Sequence, residues 1–349
     1  MCHKLVKRRD IALALKTKEK IIIIGAGISG VYLAYLLQEK YEVIILEARD
    51  RVGGRIFSID GHDMGPSWVW PHQKNILKLM DELGLELFRQ NSKGYAIYDT
   101  EAKVEVFSAP QSTPSFRVKG SLTKLIDALK DQLENVEIYL NKEVLSVKIK
   151  EGFVSVFTTN KEYIANYVIS TLPPRVTNRI NFEPKLPDEL EKKMLATQTW
   201  MGNSAKCVVE FKKNIWQEKG LSGFMFSHVG PLGEIHDASC EGKHALFGFV
   251  NANANMEDFD LQVTEQMIRV LQIKSDDILK IYLINWKSEK FSSTKEDSKP
   301  LKAHPIYGID TSAYSQRALF SSTEFSYEEG GYIEGAIINA KKIYNKLVN

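Results

Sequence analysis

The stretch Lys20–Arg55 decides the fold, and it reads KIIIIGAGISGVYLAYLLQEKYEVIILEARDRVGGR. The run Ile21–Ile24 is typical of a parallel strand buried on both faces. Glu42–Leu46 predicts a second strand, and Val31–Glu39 between them predicts a helix. A strand, a helix and a strand in this order predict the first unit of an α/β protein with a Rossmann-like parallel sheet.

A glycine motif joins the first strand to the helix. Gly25 permits a tight turn, Gly27 lets the backbone approach a phosphate, and Gly30 lets the helix pack close to the strand. The free N–H groups at the start of the helix favour a pyrophosphate, and Glu47 at the end of the second strand can bind the ribose hydroxyls of an adenosine. In this context the motif predicts a dinucleotide site. The other loop residues assigned to that site are Ala26, Ile28 and Ser29.

A second loop, ARDRVGGR, follows Glu47 directly and is rich in glycine and arginine. Simple NAD-binding folds lack such a loop. The pattern E-A-x-x-R-x-G-G-R resembles the FAD-dependent oxidoreductases of the glutathione-reductase type, and most closely the flavin-containing amine oxidases. The resemblance implies FAD as the cofactor, with Glu47 on the ribose and Arg55 facing the pyrophosphate. The further residues assigned to the cofactor in this loop are Ala48, Arg49 and Gly54.

The segment Met64–Trp70, MGPSWVW, resembles the family segment that runs beside the flavin ring. The resemblance implies that Gly65 and Ser67 let the backbone approach the ring, with Pro66 between them. It also implies that Trp68 packs near the substrate side of the site.

Three further segments resemble cofactor-binding parts of the family. Val144 begins a predicted strand that passes the adenine, and Thr171 lies where a strand returns to the FAD. In Ser322-Thr323-Glu324 a serine replaces the glycine of the family's G-T-E, and the resemblance implies that Thr323 and Glu324 lie near the pyrophosphate and the ribityl chain.

The glycine-rich segment 330–336 resembles the family motif that opens the terminal helix. The N-terminus of that helix can meet the flavin carbonyl on which negative charge collects during reduction. The residues assigned to the cofactor there are Tyr332, Ile333 and Ala336.

The catalytic residues implied by the resemblance are Lys206, Trp286, Tyr332 and Trp68. Lys206 is a lone lysine in the predicted strand Met201–Phe211, and the family carries a lysine there that is linked through a water to flavin N5. Trp286 ends a predicted strand beside the flavin. Tyr332 would form one wall of an aromatic cage for the substrate.

Lys295 and Glu296 stand where larger family members carry the second wall of that cage, so the resemblance leaves open whether this chain has a second aromatic wall. The family cysteine that bonds to FAD in some members is also missing, which predicts a non-covalent cofactor. Phe291–Asp297 and His304–Gly308 resemble a shorter bacterial branch of the family.

The sequence predicts an FAD-binding Rossmann-like domain of the glutathione-reductase type, interwoven with an α+β substrate domain that contains a mixed sheet. The FAD-binding domain is predicted over 20–72, 116–183 and 301–349, the substrate domain over 73–115 and 184–300, and a basic tail over 1–19. Because the larger amine oxidases insert a long helical subdomain near residues 73–115, a smaller lid is expected here. The segment 136–170 predicts a meander of short strands.

Composition limits the partners. The chain has 349 residues, of which 46 are Lys or Arg and 44 are Asp or Glu, so there is no basic excess for nucleic acid. No apolar run approaches the ~20 residues of a membrane span. The spacing of Cys2, Cys207 and Cys240 suggests neither a disulfide framework nor a metal site, so a reducing, cytoplasmic location is expected. The oligomeric state stays open.

The resemblance implies FAD-dependent oxidation of a small-molecule amine. Hydride would pass from the α-carbon to flavin N5, the imine would leave, and O2 would accept the electrons to give peroxide. A flavin-dependent dehydrogenase or desaturase of a carbon skeleton, like protoporphyrinogen oxidase or carotenoid desaturase, shares the FAD motifs and remains an alternative. A non-catalytic flavoprotein scaffold is a third. Lys206 and Trp286 favour the amine branch.

Overall fold

The structure is a computed structural model that describes residues 18–108, 113–299 and 303–349. The predicted basic tail 1–19 therefore lies almost entirely outside the described residues. The α-helices are Ile28–Leu37 (α1), Lys74–Glu82 (α2), Thr123–Asp131 (α3), Pro174–Thr177 (α4), Asp188–Ala196 (α5), Ile215–Glu218 (α6), Phe259–Leu271 (α7) and Ile333–Val348 (α8). Within the described ranges no helix is long and apolar enough to cross a membrane.

Short strands make up most of the remaining regular structure. They are Lys20–Ile24 (β1), Glu42–Leu46 (β2), Ser58–Ile59 (β3), His62–Asp63 (β4), Leu87–Arg89 (β5), Tyr95–Asp99 (β6), Val104–Phe107 (β7), Phe116–Val118 (β8), Val136–Tyr139 (β9), Val144–Ile149 (β10), Val154–Thr158 (β11), Glu162–Ala165 (β12), Tyr167–Ser170 (β13), Asn181–Glu183 (β14), Ala205–Phe211 (β15), Leu221–Ser227 (β16), Leu232–Asp237 (β17), His244–Val250 (β18), Ile278–Asn285 (β19) and Ala318–Phe320 (β20).

The five-stranded sheet is parallel, with strand order β20-β13-β1-β2-β9. Ile21, Ile22 and Ile23 in its central strand have no exposed surface, as their uniformly apolar run predicts. Helices α1 and α8 pack against each other, and Val31 and Ile337 share an apolar core with Ile21 and Ile23. The carboxyl ends of β1, β2, β13 and β20 meet at one edge, where ligands bind in open α/β sheets. The predicted α/β fold with a Rossmann-like sheet is confirmed.

The segment 136–170 is not a simple meander. Strand β9 pairs in parallel with β2, and β13 pairs in parallel with β1, so both belong to the five-stranded sheet. Only β10, β11 and β12 pair antiparallel in sequence, and β14 adds to β10 in parallel. Val168 and Ile169 in β13 are buried on opposite sides of the sheet, which suits a central strand better than a solvated hairpin.

The seven-stranded sheet is mixed, with strand order β19-β15-β18-β17-β16-β6-β7. Its pairs are antiparallel except β16 with β6. Along β15, Cys207 and Val209 enter a core that also includes Met267 of α7, whereas Val208 enters a second cluster with Phe247 on the opposite face. Lys206 lies on the same face as Val208, because alternate residues of a strand share a face.

The strand that carries Lys206 starts later than the sequence predicts. It begins at Ala205 rather than Met201, because Met201 adopts a left-handed φ of 61° and residues 200–203 form a turn. Helix α1 starts earlier than predicted, at Ile28. The proposed division into FAD-binding and substrate domains stays a prediction, although each strand of the five-stranded sheet comes from a range assigned to the FAD-binding domain.

Candidate active site

A cavity of about 510 Å³ lies between the carboxyl edge of the parallel sheet and the Lys206 face of the mixed sheet. Residues from both sheets and from the N-terminus of α8 line it, which matches the usual position of a ligand in an α/β sheet. The predicted site residues that line it are Gly25, Gly27, Ile28, Ser29, Glu47, Arg49, Gly54, Arg55, Gly65, Pro66, Ser67, Trp68, Thr171, Lys206, Trp286, Thr323, Tyr332, Ile333 and Ala336.

Five predicted cofactor residues do not line the cavity: Ala26, Gly30, Ala48, Val144 and Glu324. Ala26 is buried and donates its N–H to Glu47, and Gly30 packs against Gly25. Ala48 lies between two residues that do line the cavity. Val144 is packed in an apolar cluster beneath the parallel sheet. Glu324 is fully buried behind Arg55, so it supports the cavity wall rather than forming it.

The glycine loop is shaped as a cradle. Gly25 has a φ of +102°, a conformation that side chains disfavour, and a Cβ at Gly30 would collide with the carbonyl oxygen of Gly25. Gly27 is different, because an added Cβ would stay 4.0 Å from its nearest neighbours, the Gly53 oxygen and the Gly54 Cα. The surface at Gly27 is therefore open on the cavity side. A phosphate that comes close to the backbone would need this open space.

Glu47 connects the two glycine-rich loops. Its Oε2 accepts a hydrogen bond from the Ala26 N–H at 2.7 Å, and its Oε1 accepts one from the Arg49 N–H at 2.9 Å. The carboxylate is buried but still lines the cavity. Because each carboxylate oxygen can accept more than one hydrogen bond, ribose hydroxyls can bind Glu47 in addition to these two backbone groups.

Arg55 is held by a carboxylate of the protein. Its Nη1 donates at 2.8 Å to Glu324 Oε1 and at 2.8 Å to Thr199 Oγ1. Glu324 also accepts hydrogen bonds from the hydroxyls of Thr199 and Ser322. Burial by itself raises the pKa of Glu324, but Arg55 and these hydrogen bonds outweigh burial, and the pKa lies below its ordinary value. The charge of Arg55 is thus partly balanced by Glu324. The Arg55 side chain is 30% exposed and lines the cavity.

Lys206 places a buried amino group at the cavity. Its Nζ donates to the Gly65 carbonyl at 2.9 Å and to Ser67 Oγ at 2.7 Å, and it lies 4.1 Å from the centre of the Phe247 ring. Burial lowers the pKa of Lys206 to about 7, although the Asp63 carboxylate acts to raise it. Burial in turn raises the pKa of Asp63, against the opposing effect of Lys206. A strongly shifted amine in a cavity is a candidate for function.

Aromatic side chains cover much of the remaining wall. Trp68 donates its indole N–H to Gln90 and packs edge-on against His236, with the ring centres 4.8 Å apart. Trp286 donates to the Met64 carbonyl at 3.0 Å and lies beside Gly65.

Tyr332 precedes the first residue of α8. It stacks on His304 with ring planes 9° apart and meets the edge of Trp70. His304 is thus an aromatic neighbour of Tyr332 that sequence reasoning did not single out.

Several other cavity residues were not predicted. They are Gly53, Ile56, Met64, Trp70, Gln73, Leu172, Pro173, Thr199, Trp200, Met201, Gly202, Ser204, Glu234, Phe247, Phe249, Phe291, Ser292 and Gly331. Many of them lie in a turn or on a strand whose alternation does not say which face meets the cavity. Within the described residues no group of His, Cys, Asp and Glu side chains could hold a metal ion.

Comparison with known families decides the class of the protein. Residues 96–342 match the profile described as "Flavin containing amine oxidoreductase", and residues 23–83 match "NAD(P)-binding Rossmann-like domain". The chain belongs to the flavin-containing amine oxidoreductases. It is therefore an oxidoreductase with FAD as its expected cofactor, as the sequence predicts.

The curated relatives are distant but extend over nearly the whole chain. "Amine oxidase [flavin-containing] B" of Homo sapiens is 23% identical over 442 aligned positions, which cover 93% of this chain and 85% of the relative. "Amine oxidase [flavin-containing] A" of Canis lupus familiaris is 24% identical, covering 94% and 85%. Both alignments span more positions than this chain has residues, so the relatives carry segments that it lacks.

Solved structures share the fold. Putrescine oxidase bound to putrescine matches with a TM-score of 0.80 at 20% identity, over 95% of this chain and 99% of that one. Cyclohexylamine oxidase from Brevibacterium oxydans matches with 0.78 at 16% identity, over 95% and 100%. A protein described as putative protoporphyrinogen oxidase, from Exiguobacterium, matches with 0.72 at 12% identity, over 94% and 98%. At these identities the likeness establishes the fold alone.

Proposed function

We propose that this chain oxidises an amine with non-covalently bound FAD and passes the electrons to O2. The observation that carries the proposal is the position of Lys206, a buried amino group in an aromatic cavity that also contains the phosphate-type glycine loop. FAD, when bound, would supply the redox chemistry, which is two-electron oxidation of the amine with transfer of the electrons to O2 to give hydrogen peroxide.

The residues present fit a dinucleotide. Gly27 and the start of α1 offer backbone N–H groups to a pyrophosphate, and Glu47 offers a carboxylate to a ribose. Arg55 adds positive charge beside that loop. The N-terminus of α8, at Ile333 and Ala336, would stabilise negative charge on the flavin ring of the cofactor.

Lys206 would hold a positive charge or a proton at the reacting end of the cavity, which is the part where the amine would be oxidised. Its hydrogen bonds to Gly65 and Ser67 fix the amino group, and the Phe247 ring lies against it. With a pKa of about 7 in the protein without ligands, the group changes its protonation easily near neutral pH. Such a group can orient a water and can stabilise the negative charge that arises when O2 is reduced.

The aromatic wall supports an amine as the substrate. Trp68, Tyr332 and Phe247 line the cavity, where aromatic ring faces attract positive charge on nitrogen and apolar surface keeps water away from the reacting carbon. The related structures named above are oxidases of putrescine and cyclohexylamine, both of which are amines. The Exiguobacterium structure keeps oxidation of a carbon skeleton as the competing outcome.

The cysteines support the proposal that FAD is bound non-covalently and that the protein is in a reducing compartment. Cys207 and Cys240 are free thiols, and neither lines the cavity. Cys207 is buried in the core behind the sheet, and Cys240 accepts a hydrogen bond from the Gly120 N–H. Both positions support FAD held without a thioether, in a protein of the cytoplasm.

The test uses the purified chain. We expect a yellow protein whose flavin passes entirely into the supernatant on acid precipitation, and which forms peroxide together with the aldehyde or ketone when mixed with a panel of amines under air. The matched control is protein stripped of flavin. Flavin retained in the pellet would contradict the non-covalent cofactor, and oxidation of a porphyrinogen or polyene with no amine turnover would favour the competing function.

A further inference from the structure

Glu234 is a cavity carboxylate that oxidation of a simple amine does not require. It lies in β17, lines the cavity, and keeps 40% of its side-chain surface accessible. A glutamate placed in an aromatic cavity loses hydration, and a cationic ligand would compensate for that loss.

Sheet register fixes where Glu234 stands relative to Lys206. In β18, Phe249 is paired with Lys206 of β15 on one side and with Glu234 of β17 on the other. Residues paired across strands point to the same face of a sheet, and each antiparallel pair separates Cα atoms by about 5 Å. The Lys206 and Glu234 Cα atoms are therefore about 10 Å apart. The Phe249 side chain lies between them.

His236 fixes the carboxylate. The Glu234 Oε1 lies 2.7 Å from His236 Nε2. The His236 ring packs against Phe224 at 5.0 Å, Trp68 at 4.8 Å and Phe247 at 5.4 Å. Since Phe247 also contacts the Lys206 ammonium, one aromatic wall runs from the reacting end of the cavity to Glu234. Among the described residues, Glu234 Oε2 has no hydrogen-bond partner, so it can accept a bond from a ligand.

The other charges along the cavity are already used. Glu47 binds two backbone N–H groups. Arg49 contacts Glu289 and Ser292, and Arg55 binds Glu324. Within the described chain, the cavity thus offers a substrate a carboxylate at Glu234 and no unpaired arginine for a carboxylate group.

From this arrangement we infer that Glu234 is a second binding site for positive charge, which selects amines that carry a second cationic group over amines that do not. One amino group of a diamine lies at the reacting end beside Lys206. The methylene chain crosses Phe249, and the distal ammonium binds Glu234. The inference rests on the proposed amine oxidation and adds the class of the amine.

The decisive comparison uses putrescine and butylamine, which have the same carbon chain and differ only in the distal amino group. We expect kcat/KM for putrescine to exceed that for butylamine by about tenfold or more, as one charge-assisted hydrogen bond in a partly buried site allows. In Glu234→Gln this ratio falls to about one. A matched control is Glu105→Gln, which makes the same change on the exposed strand β7 of the same sheet and preserves the ratio.

A conservative variant tests geometry separately from folding. Glu234→Asp keeps the charge but withdraws it by one methylene group. The preferred diamine should therefore become longer, from putrescine towards cadaverine. A folded Glu234→Asp protein whose chain-length preference matches the wild type would argue that the carboxylate does not meet the distal ammonium.

Binding separates this inference from the proposed oxidation. Trp68 and Trp200 line the cavity, so putrescine binding to flavin-loaded protein can be followed by tryptophan fluorescence without turnover. Even if no amine is oxidised, a Kd for putrescine that weakens about tenfold or more in Glu234→Gln supports the site. An equal Kd in the two proteins, or a wild type that binds butylamine as tightly as putrescine, overturns it.

Discussion

The buried carboxylate of Glu324 accepts a hydrogen bond from Arg55 at 2.8 Å, although 269 positions separate the two residues in the sequence. Arg55 ends the loop after β2, and Glu324 follows β20, so their contact joins the loops after two strands that are not neighbours in the parallel sheet. Arg55, which the family resemblance places at the pyrophosphate, therefore also helps to hold the cavity wall together through Glu324.

Removing Arg55 should cost more stability than removing the pair. Arg55→Met leaves Glu324 buried without its cation, and such a loss is worth about 3–5 kcal/mol of unfolding free energy. The double variant Arg55→Met, Glu324→Met removes both charges and should recover most of that loss. Urea unfolding of the flavin-free proteins measures both values. A double variant no more stable than the single one would show that the pair itself, rather than the unpaired charge, supplies the stability.

Alanine substitutions at two glycines of the same motif should have different effects, one on folding and the other on FAD binding. Gly30→Ala places a Cβ against the Gly25 carbonyl, so it should reduce the yield of folded protein. In Gly27→Ala the added Cβ lies 4.0 Å from its nearest neighbours in the protein, so the chain should fold normally. The variant should nevertheless lose FAD, because the new methyl group occupies the cavity side. Circular dichroism and flavin content distinguish the two effects. A Gly27→Ala protein with full flavin content would remove Gly27 from the phosphate site.

Sequence patterns predicted the parts of the site that depend on local chemistry. The spacing of Gly25, Gly27 and Gly30 after four isoleucines predicts both the turn and the cavity edge, since the requirement for glycine is set by the neighbouring backbone. Lys206 stands out because a lysine in an apolar strand needs a partner, and the structure supplies Gly65 and Ser67.

Contacts between distant segments could not be predicted in the same way. The pattern LGEIHD of β17 alternates as any half-exposed strand does, so it does not reveal that Glu234 faces the cavity. Nothing local to Arg55 indicates Glu324, because that pairing depends on the order of strands in the sheet. Trp200 lines the cavity from a turn over residues 200–203, and the sequence pattern assigns the last three of these residues to a strand.

Lys206→Met should impair oxidation of the reduced protein by O2 more than reduction by substrate. Methionine keeps the length of the apolar stem, so folding and FAD content should persist, but the positive charge near the reacting end is lost. We expect the reaction with O2 to slow by about tenfold or more, which is about 1.4 kcal/mol of barrier. Stopped-flow measurement of both half-reactions tests this, with Ser67→Ala as a control that keeps the charge. Normal reoxidation in a fully loaded Lys206→Met protein would make Lys206 a structural residue.

The depressed pKa of Lys206 predicts a pH-dependent stability. The pKa is about 7 in the folded chain without ligands, against an ordinary value of 10.5, so between these values the unfolded chain binds more protons at this residue. Stability therefore rises with pH across that window. Lys206→Met lacks this pH-dependent contribution to stability. The Tm of the variant minus the Tm of the wild type should therefore be highest at or below about pH 7 and should decline towards about pH 10. A Tm difference independent of pH would contradict the shifted pKa.

The most direct test of amine oxidation is anaerobic mixing of the flavin-loaded protein with an amine and with the same amine deuterated at the α-carbon. We predict that the flavin absorbance bleaches in a single turnover, that one equivalent of imine-derived carbonyl product forms, and that deuterium slows the bleaching because the α-C–H bond breaks in that step. Failure of putrescine, butylamine and cyclohexylamine to bleach the flavin, while a porphyrinogen or polyene does so, would contradict amine oxidation.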